Sequence, residues 1–382
     1  MKTGLDNINS YRHLFEGKRV GIITNHTAYN RSGQYIVDVF RNMDNVKVAA
    51  FFSPEHGLYG VEEDGKRIES MTEPNYKIPV YSLYGETRKP ARQMLENIDI
   101  LVFDIQDIGA RFYTYIYTMS LAMEAAAENG KLFVVLDRPN PINGLQVEGN
   151  ILKPQFASFV GLYPIPVRHG MTAGELAGMF NQQGWLKDGV KADLMVIPMK
   201  GWRRSMWYDR TGLKFIKPSP NMVSLEAASV YPGLCLLEGT NVSEGRGTPM
   251  PFTQFGAPWI DSESLAAELD KLNLSGIRFR PVSFTPVSSK YRDQRCKGVK
   301  ITVTNRDLLE PYWGGILIVN KIYQMYPNDF QWRASHFDRL CGTSAIREAI
   351  TNRSSIEKLR EEWQADLKSF LKIRHKYLLY PS

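Results

Sequence analysis

One pattern recurs through the first half of the chain and restricts the fold more than any other feature. A short apolar run, rich in β-branched and aromatic residues, ends each time in polar or titratable side chains. Residues 19–27 close on Thr24-Asn25-His26-Thr27, and residues 46–52 run into Ser53-Pro54-Glu55-His56-Gly57. Residues 98–107 deliver Asp104 and Asp107, and residues 131–137 end in Asp137-Arg138-Pro139-Asn140-Pro141. Near-continuous apolar runs of this length are what strands covered on both faces of a parallel sheet require. Pro54 stops the second run because it has no N–H to give to the ladder.

The segments between these runs read as helices. Residues 5–16 form a short opening helix closed by Gly17, and residues 33–41 are amphipathic. Residues 89–96 make a short helix with Pro90 in its first turn, and residues 114–129 a long apolar one stopped by Gly130. Thr172 and Glu175 open a helix over 172–183 as a capping box. Two further strands are expected at 78–84, where Pro79 suggests an edge, and at 192–198. Strands alternating with helices at this spacing predict an α/β fold with a doubly wound, mostly parallel sheet. At 382 residues the chain is long for one core, so two domains are expected, 1–217 and a smaller α+β domain over 218–382. In the latter, residues 262–271, 314–326 and a charged surface helix over 355–375 accompany strands at 277–287 and 297–304.

Open α/β sheets bind ligands at the carboxyl ends of their strands. Asp at a strand end is often only a turn or cap residue. Together, however, Asn25, Glu55, His56, Asp104, Asp107 and Asp137 mark a site, because a purely structural sheet has no need to gather carboxylates at one edge. No glycine-rich dinucleotide loop follows the first strand and no Walker-type loop is present, which argues against both nucleotide classes. The second half adds a dense polar stretch from Glu238 through Asn241, Glu244 and Arg246 to Thr248, with three interleaved glycines able to wrap a polar ligand.

Composition narrows the chemistry. The net charge of +7 suits an anionic partner, but the basic residues are scattered among 40 acidic ones, so no nucleic acid is expected. The 12% aromatic content provides rings of the kind sugar sites use as platforms, although most aromatics simply fill cores. Cys235, Cys296 and Cys341 lack metal or redox spacing, so no metal and no cofactor is expected. No run approaches the length of a membrane span, and residues 1–6 lack a signal-peptide core. The expected location is periplasmic or exported if this is a mature form, and otherwise cytoplasmic.

Six ordered motifs carry a resemblance across essentially the whole chain. They are Ser53-Pro-Glu-His-Gly57, Asp104 to Tyr115, Asp137-Arg-Pro-Asn-Pro141 and Arg168-His-Gly-Met-Thr172, then Glu238 to Thr248 and Gly256-Ala-Pro-Trp259. This set resembles the NamZ-type exo-β-N-acetylmuramidases. The resemblance implies release of N-acetylmuramic acid (MurNAc) from the non-reducing end of peptidoglycan fragments. It also implies a Rossmann-like first domain, a smaller second domain, and a cleft between them. The family's catalytic glutamate maps onto Glu55.

Glycoside cleavage needs an acid for the leaving oxygen and usually a second carboxylate. Glu55 is the candidate acid, with His56 or a neighbouring carboxylate able to tune it. Asp104, Asp107 and Glu244 are candidates for the second role, and the sugar's own acetamido group is an alternative nucleophile. Strand ends and motifs give a substrate-binding set of Asn25, Arg111, Tyr113, Asp137, Asn140, Arg168, His169, Asn241 and Arg246. Among these, Arg111, Arg168 and Arg246 can hold the lactyl carboxylate of MurNAc, and the flanking glycines favour Arg246. Two other classes are a metal-dependent hydrolase using His56, Asp104, Asp107 and His169, and a non-catalytic peptidoglycan-binding module.

Overall fold

The computed structural model describes residues 1–63 and 65–382. The expected parallel sheet is present. Its strands are β1 (Arg19–Thr24), β2 (Lys47–Ser53), β3 (Met71–Thr72), β4 (Pro79–Ser82), β5 (Ile100–Asp104), β6 (Leu132–Leu136) and β7 (Asp193–Ile197), in the order β3-β4-β2-β1-β5-β6-β7. Every pairing is parallel except β3 with β4.

Period-two alternation explains why these runs must be buried on both sides. Val20, Ile22, Phe51, Val102 and Val134 face one core, packed against Ile36, Val37 and Phe40 of the Ile36–Arg41 helix. Ile23, Phe52, Phe103, Phe133 and Val135 face the other core, with the helices Tyr115–Glu128 and Ala173–Gln182 against it. This second core is continuous with the interior of the second half, through Phe255, Val299, Tyr312, Ile316 and Phe337. There β8 (Gln254–Ala257), β9 (Ile277–Phe284) and β10 (Cys296–Val303) form an antiparallel sheet in the order β8-β10-β9. The helices Leu225–Leu234 and Pro311–Met325 approach closely at Gly233 and Gly315, where a Cβ on either would strike the other's backbone.

Several expectations need correction. Pro79 is not at the sheet edge, because β3 pairs with β4 outside it. Pro90 precedes the short helix, which spans only Arg92–Leu95. The Ile356–His375 helix is no free surface element, since Trp363, Leu367 and Phe370 are buried. Its Arg374 donates to the carbonyls of Gly144 and Gly170 (2.7 Å) in the first half. All three cysteines are free and buried. No helix among the described residues is long and apolar enough to cross a membrane.

Candidate active site

The order of the sheet reverses at β1: the chain builds β2, β4 and β3 to one side, then returns to lay β5 to β7 on the other. Such a switch point opens a crevice at the carboxyl ends of the strands. Glu55 and His56 follow β2 on one flank of β1, and the loop leading from β5 to the Tyr115–Glu128 helix lies on the other. His56 takes a positive φ of 69°, uncommon for a side-chain-bearing residue, so the chain folds back directly after Glu55. Its Nδ1 lies 2.8 Å from the Glu62 carbonyl oxygen. Thr114 does not cap its own helix; its hydroxyl donates instead to Glu55 Oε2 at 2.7 Å, and the Gly65 amide donates to Oε1 at 3.1 Å.

These residues open on a cavity of about 420 Å³, within the range of small-ligand sites. Aromatic walls come from both halves of the chain: Tyr84, Phe112, Tyr113, Tyr115 and Phe159 from the first, Tyr231 and Phe252 from the second. Tyr113 meets Tyr115 edge-on with ring centres 5.0 Å apart, and Tyr231 meets Phe252 in the same way at 4.7 Å. Phe159 sits within a tight loop closed by paired backbone hydrogen bonds between Ser158 and Gly161, at 2.8 and 2.9 Å.

The second half supplies a second carboxylate, Glu238, at the end of a short 3₁₀ turn. Arg246 donates to its Oε1 at 2.7 Å, and His336 Nε2 lies 3.4 Å from its Oε2. Burial pushes the Glu238 carboxyl up, but Arg246 and His336 outweigh it and hold the group well below the usual carboxylate range. Asn221, Glu238, Arg246 and His336 also border an adjoining outer cavity of about 870 Å³, lined further by Glu244, Lys290 and Arg333.

Of the residues singled out in the sequence, Glu55, His56, Tyr113 and Arg246 line the inner cavity. Glu244 lines the outer one, where Lys290 (2.9 Å) and Arg246 (3.2 Å) neutralise it. The others lie outside both cavities. Asp104 is fully buried in an ion pair with Arg138, whose Nη2 reaches its Oδ2 at 3.0 Å, so a catalytic role does not suit it. Asp107 is buried in the turn after β5 and accepts the Gly109 amide at 2.7 Å. Burial pushes its carboxyl up to about 7, only partly countered by the Gly109 and Ile108 amides.

Asn25 supports the wall from behind, its amide donating to the Tyr115 hydroxyl at 3.2 Å. Asp137 accepts from Thr172 (2.7 Å), Gly174 (2.8 Å) and Tyr380, joining three separate segments. Arg111 gives its guanidinium to the carbonyls of Asn150, Ile165, Leu340 and Cys341, and Arg168 gives its own to Ile142. Asn140 donates to the Met171 carbonyl at 3.0 Å, and Asn241 clamps the 329–331 segment through Asp329 and Gln331. His169 is buried and accepts the Met171 amide; desolvation, helped by Arg374 and Arg168, lowers it to about 3. The four side chains considered as metal ligands are therefore not gathered, and no group of three or more His, Cys, Asp or Glu suited to a metal ion occurs among the described residues.

Sequence reasoning missed Glu238 as a site carboxylate, although it opened the polar stretch already singled out. Arg88, Phe159, Asn221 and His336 sit in segments with no motif, and only tertiary contact brings them to the cavity.

Comparison with known proteins gives the family. Residues 20–226 match the family model for the N-terminal part of the exo-β-N-acetylmuramidase NamZ, and residues 229–380 match that for its C-terminal part. The chain belongs to the NamZ family. It is 48% identical to the peptidoglycan β-N-acetylmuramidase NamZ of Bacillus subtilis (strain 168), across 100% of this chain and 91% of that protein. Two crystal structures of DUF1343 family proteins from Bacteroides fragilis share the NamZ-like fold seen here. One matches with a TM-score of 0.92 and 38% identity over 99% of this chain and 98% of its own. The other matches with a TM-score of 0.78 and 32% identity over 100% and 99%.

Proposed function

We propose that this protein is an exo-acting glycoside hydrolase that releases MurNAc from the non-reducing end of peptidoglycan fragments. The full-length identity to the Bacillus subtilis enzyme carries the reading, and the cavity supplies what the reaction needs. The substrates are muro-oligosaccharides or muropeptides. The two halves, residues 1–217 and 218–382, act as opposite walls of the cleft.

Two carboxylates whose surroundings differ can divide acid and base work between them. Glu238, held ionised by Arg246 and His336, is the anion that faces developing positive charge at the anomeric carbon or orients the acetamido group. Glu55, which accepts from two neutral donors, the Thr114 hydroxyl and the Gly65 amide, donates a proton to the leaving oxygen. The aromatic inner cavity takes the terminal sugar. The outer cavity, which meets it along Glu238 and Arg246, takes the remaining glycan.

Digestion of a defined muro-oligosaccharide, followed by mass spectrometry, tests the proposal. Free MurNAc should be the first product, one residue per event. Internal fragments at early times would overturn the exo assignment, and failure to cleave a chromogenic MurNAc glycoside would overturn the activity.

A further inference from the structure

MurNAc differs from N-acetylglucosamine (GlcNAc) only by its 3-O-lactyl group, a carboxylate on a small apolar branch. A cavity that selects it needs a cation with donors to spare. Three arginines line the inner cavity: Arg88, Arg246 and Arg339. Arg246 is paired with both Glu238 and Glu244. Arg339 bonds through Nε to the Ser335 carbonyl on its own helix, at 3.0 Å.

Arg88 is differently placed. Its guanidinium carbon lies 4.1 Å from the centre of the Phe159 ring and 5.5 Å from that of Tyr84. Both rings line the cavity, and their centres are 5.9 Å apart. No carboxylate among the described residues forms an ion pair with it. A guanidinium held against aromatic faces loses little freedom on binding, and stacking leaves its in-plane N–H edge available to a carboxylate. The same rings offer apolar surface to the lactyl methyl.

We propose that Arg88, held by Phe159 and Tyr84, is the residue that recognises the lactyl carboxylate and so sets specificity for MurNAc over GlcNAc. The assignment rests on the muramidase reading above and replaces Arg246, whose charge is committed within the protein.

The test compares kcat/KM for chromogenic MurNAc and GlcNAc glycosides in the wild type, Arg88→Ala and Arg88→Lys. A charge-assisted contact of this kind is worth about ten- to a hundredfold, so Arg88→Ala should lose that much on MurNAc and almost nothing on GlcNAc. Arg88→Lys should recover only part, because an ammonium neither stacks flat nor binds in two-point fashion. A MurNAc glycoside with its lactyl group methyl-esterified should lose as much in the wild type and lose nothing more in Arg88→Ala. An unchanged MurNAc/GlcNAc ratio, or equal losses on both sugars, overturns the assignment while leaving the muramidase reading standing. If the wild type cleaves neither glycoside, the activity fails first. Titration with free MurNAc and GlcNAc then decides Arg88 separately: a preference for MurNAc that vanishes in Arg88→Ala supports it, and any other result overturns it.

Discussion

At the scale of single residues, the same side-chain type serves opposite ends depending on its contacts. Glu55 and Glu238 border the cavity, whereas Asp104 lies behind it with its charge consumed by Arg138. Asp104 is therefore a folding residue: removing one member of a buried ion pair leaves the other uncompensated. Glu55 is different, being only partly buried and bonded to one hydroxyl and one amide. Glu55→Gln keeps that size; its amide oxygen can still accept the Gly65 N–H while its NH2 donates to the Thr114 hydroxyl, so the fold should survive. Turnover should fall at least about a hundredfold, the lower end for a general acid. Circular dichroism would check folding, and near-wild-type turnover on a MurNAc glycoside would remove Glu55 from the acid role.

At the scale of elements, the turn after β5 combines an unusual backbone with an unusual carboxyl. Gly109 has φ of 86°, and a Cβ there would strike the Asn140 amide, so only glycine fits beside it. Asp107 fastens this turn through the Gly109 amide, while burial pushes its carboxyl up to about 7. In the unfolded chain the group returns to about 3.9. Between those values the native state holds a proton that the unfolded state lacks. Its contribution to stability is thus complete below about pH 4 and is lost as pH rises through 7. Asp107→Asn retains the Gly109 acceptor and never ionises. The stability of the variant relative to wild type should therefore increase between pH 5 and pH 8, by on the order of a few kcal/mol. Urea unfolding at a series of pH values measures it; a difference independent of pH would mean that Asp107 does not titrate in this window.

At the scale of the molecule, the two halves share one core and are stitched at a distance in sequence. Tyr380, near the end of the chain, donates to Asp137 after β6, and the Leu379 amide donates to Glu175 at 2.8 Å. Glu175 is itself paired with Arg204, so the C-terminal segment closes a buried polar network of the first half. Tyr380→Phe should cost about 1.5–3 kcal/mol, the range for a buried hydrogen bond to a charged group. Because the core is continuous, the loss should move a single unfolding transition to lower denaturant, seen alike by tryptophan fluorescence and far-ultraviolet circular dichroism. Two separated transitions would show that the halves unfold independently.

Local physics made much of this legible in the sequence. Apolar runs such as 98–104 and 131–136 can be satisfied only by cover on both faces, so the parallel sheet followed from hydrophobic pattern alone. Thr172 and Glu175 form the expected capping box because its geometry spans three residues and needs no distant partner. The ordered motifs carried the family, and Glu55 was visible because a strand end places it directly. The fate of the other polar side chains was not visible. Arg111 and Arg246 are both arginines in polar motifs, yet one fills its donors with backbone carbonyls from both halves of the chain and the other borders the cavity. Glu238, His336 and Arg88 meet one site from segments far apart in sequence. Whether a charge is consumed by a buried partner or left facing solvent depends on long-range contacts that no local pattern encodes. Only the tertiary structure decided that.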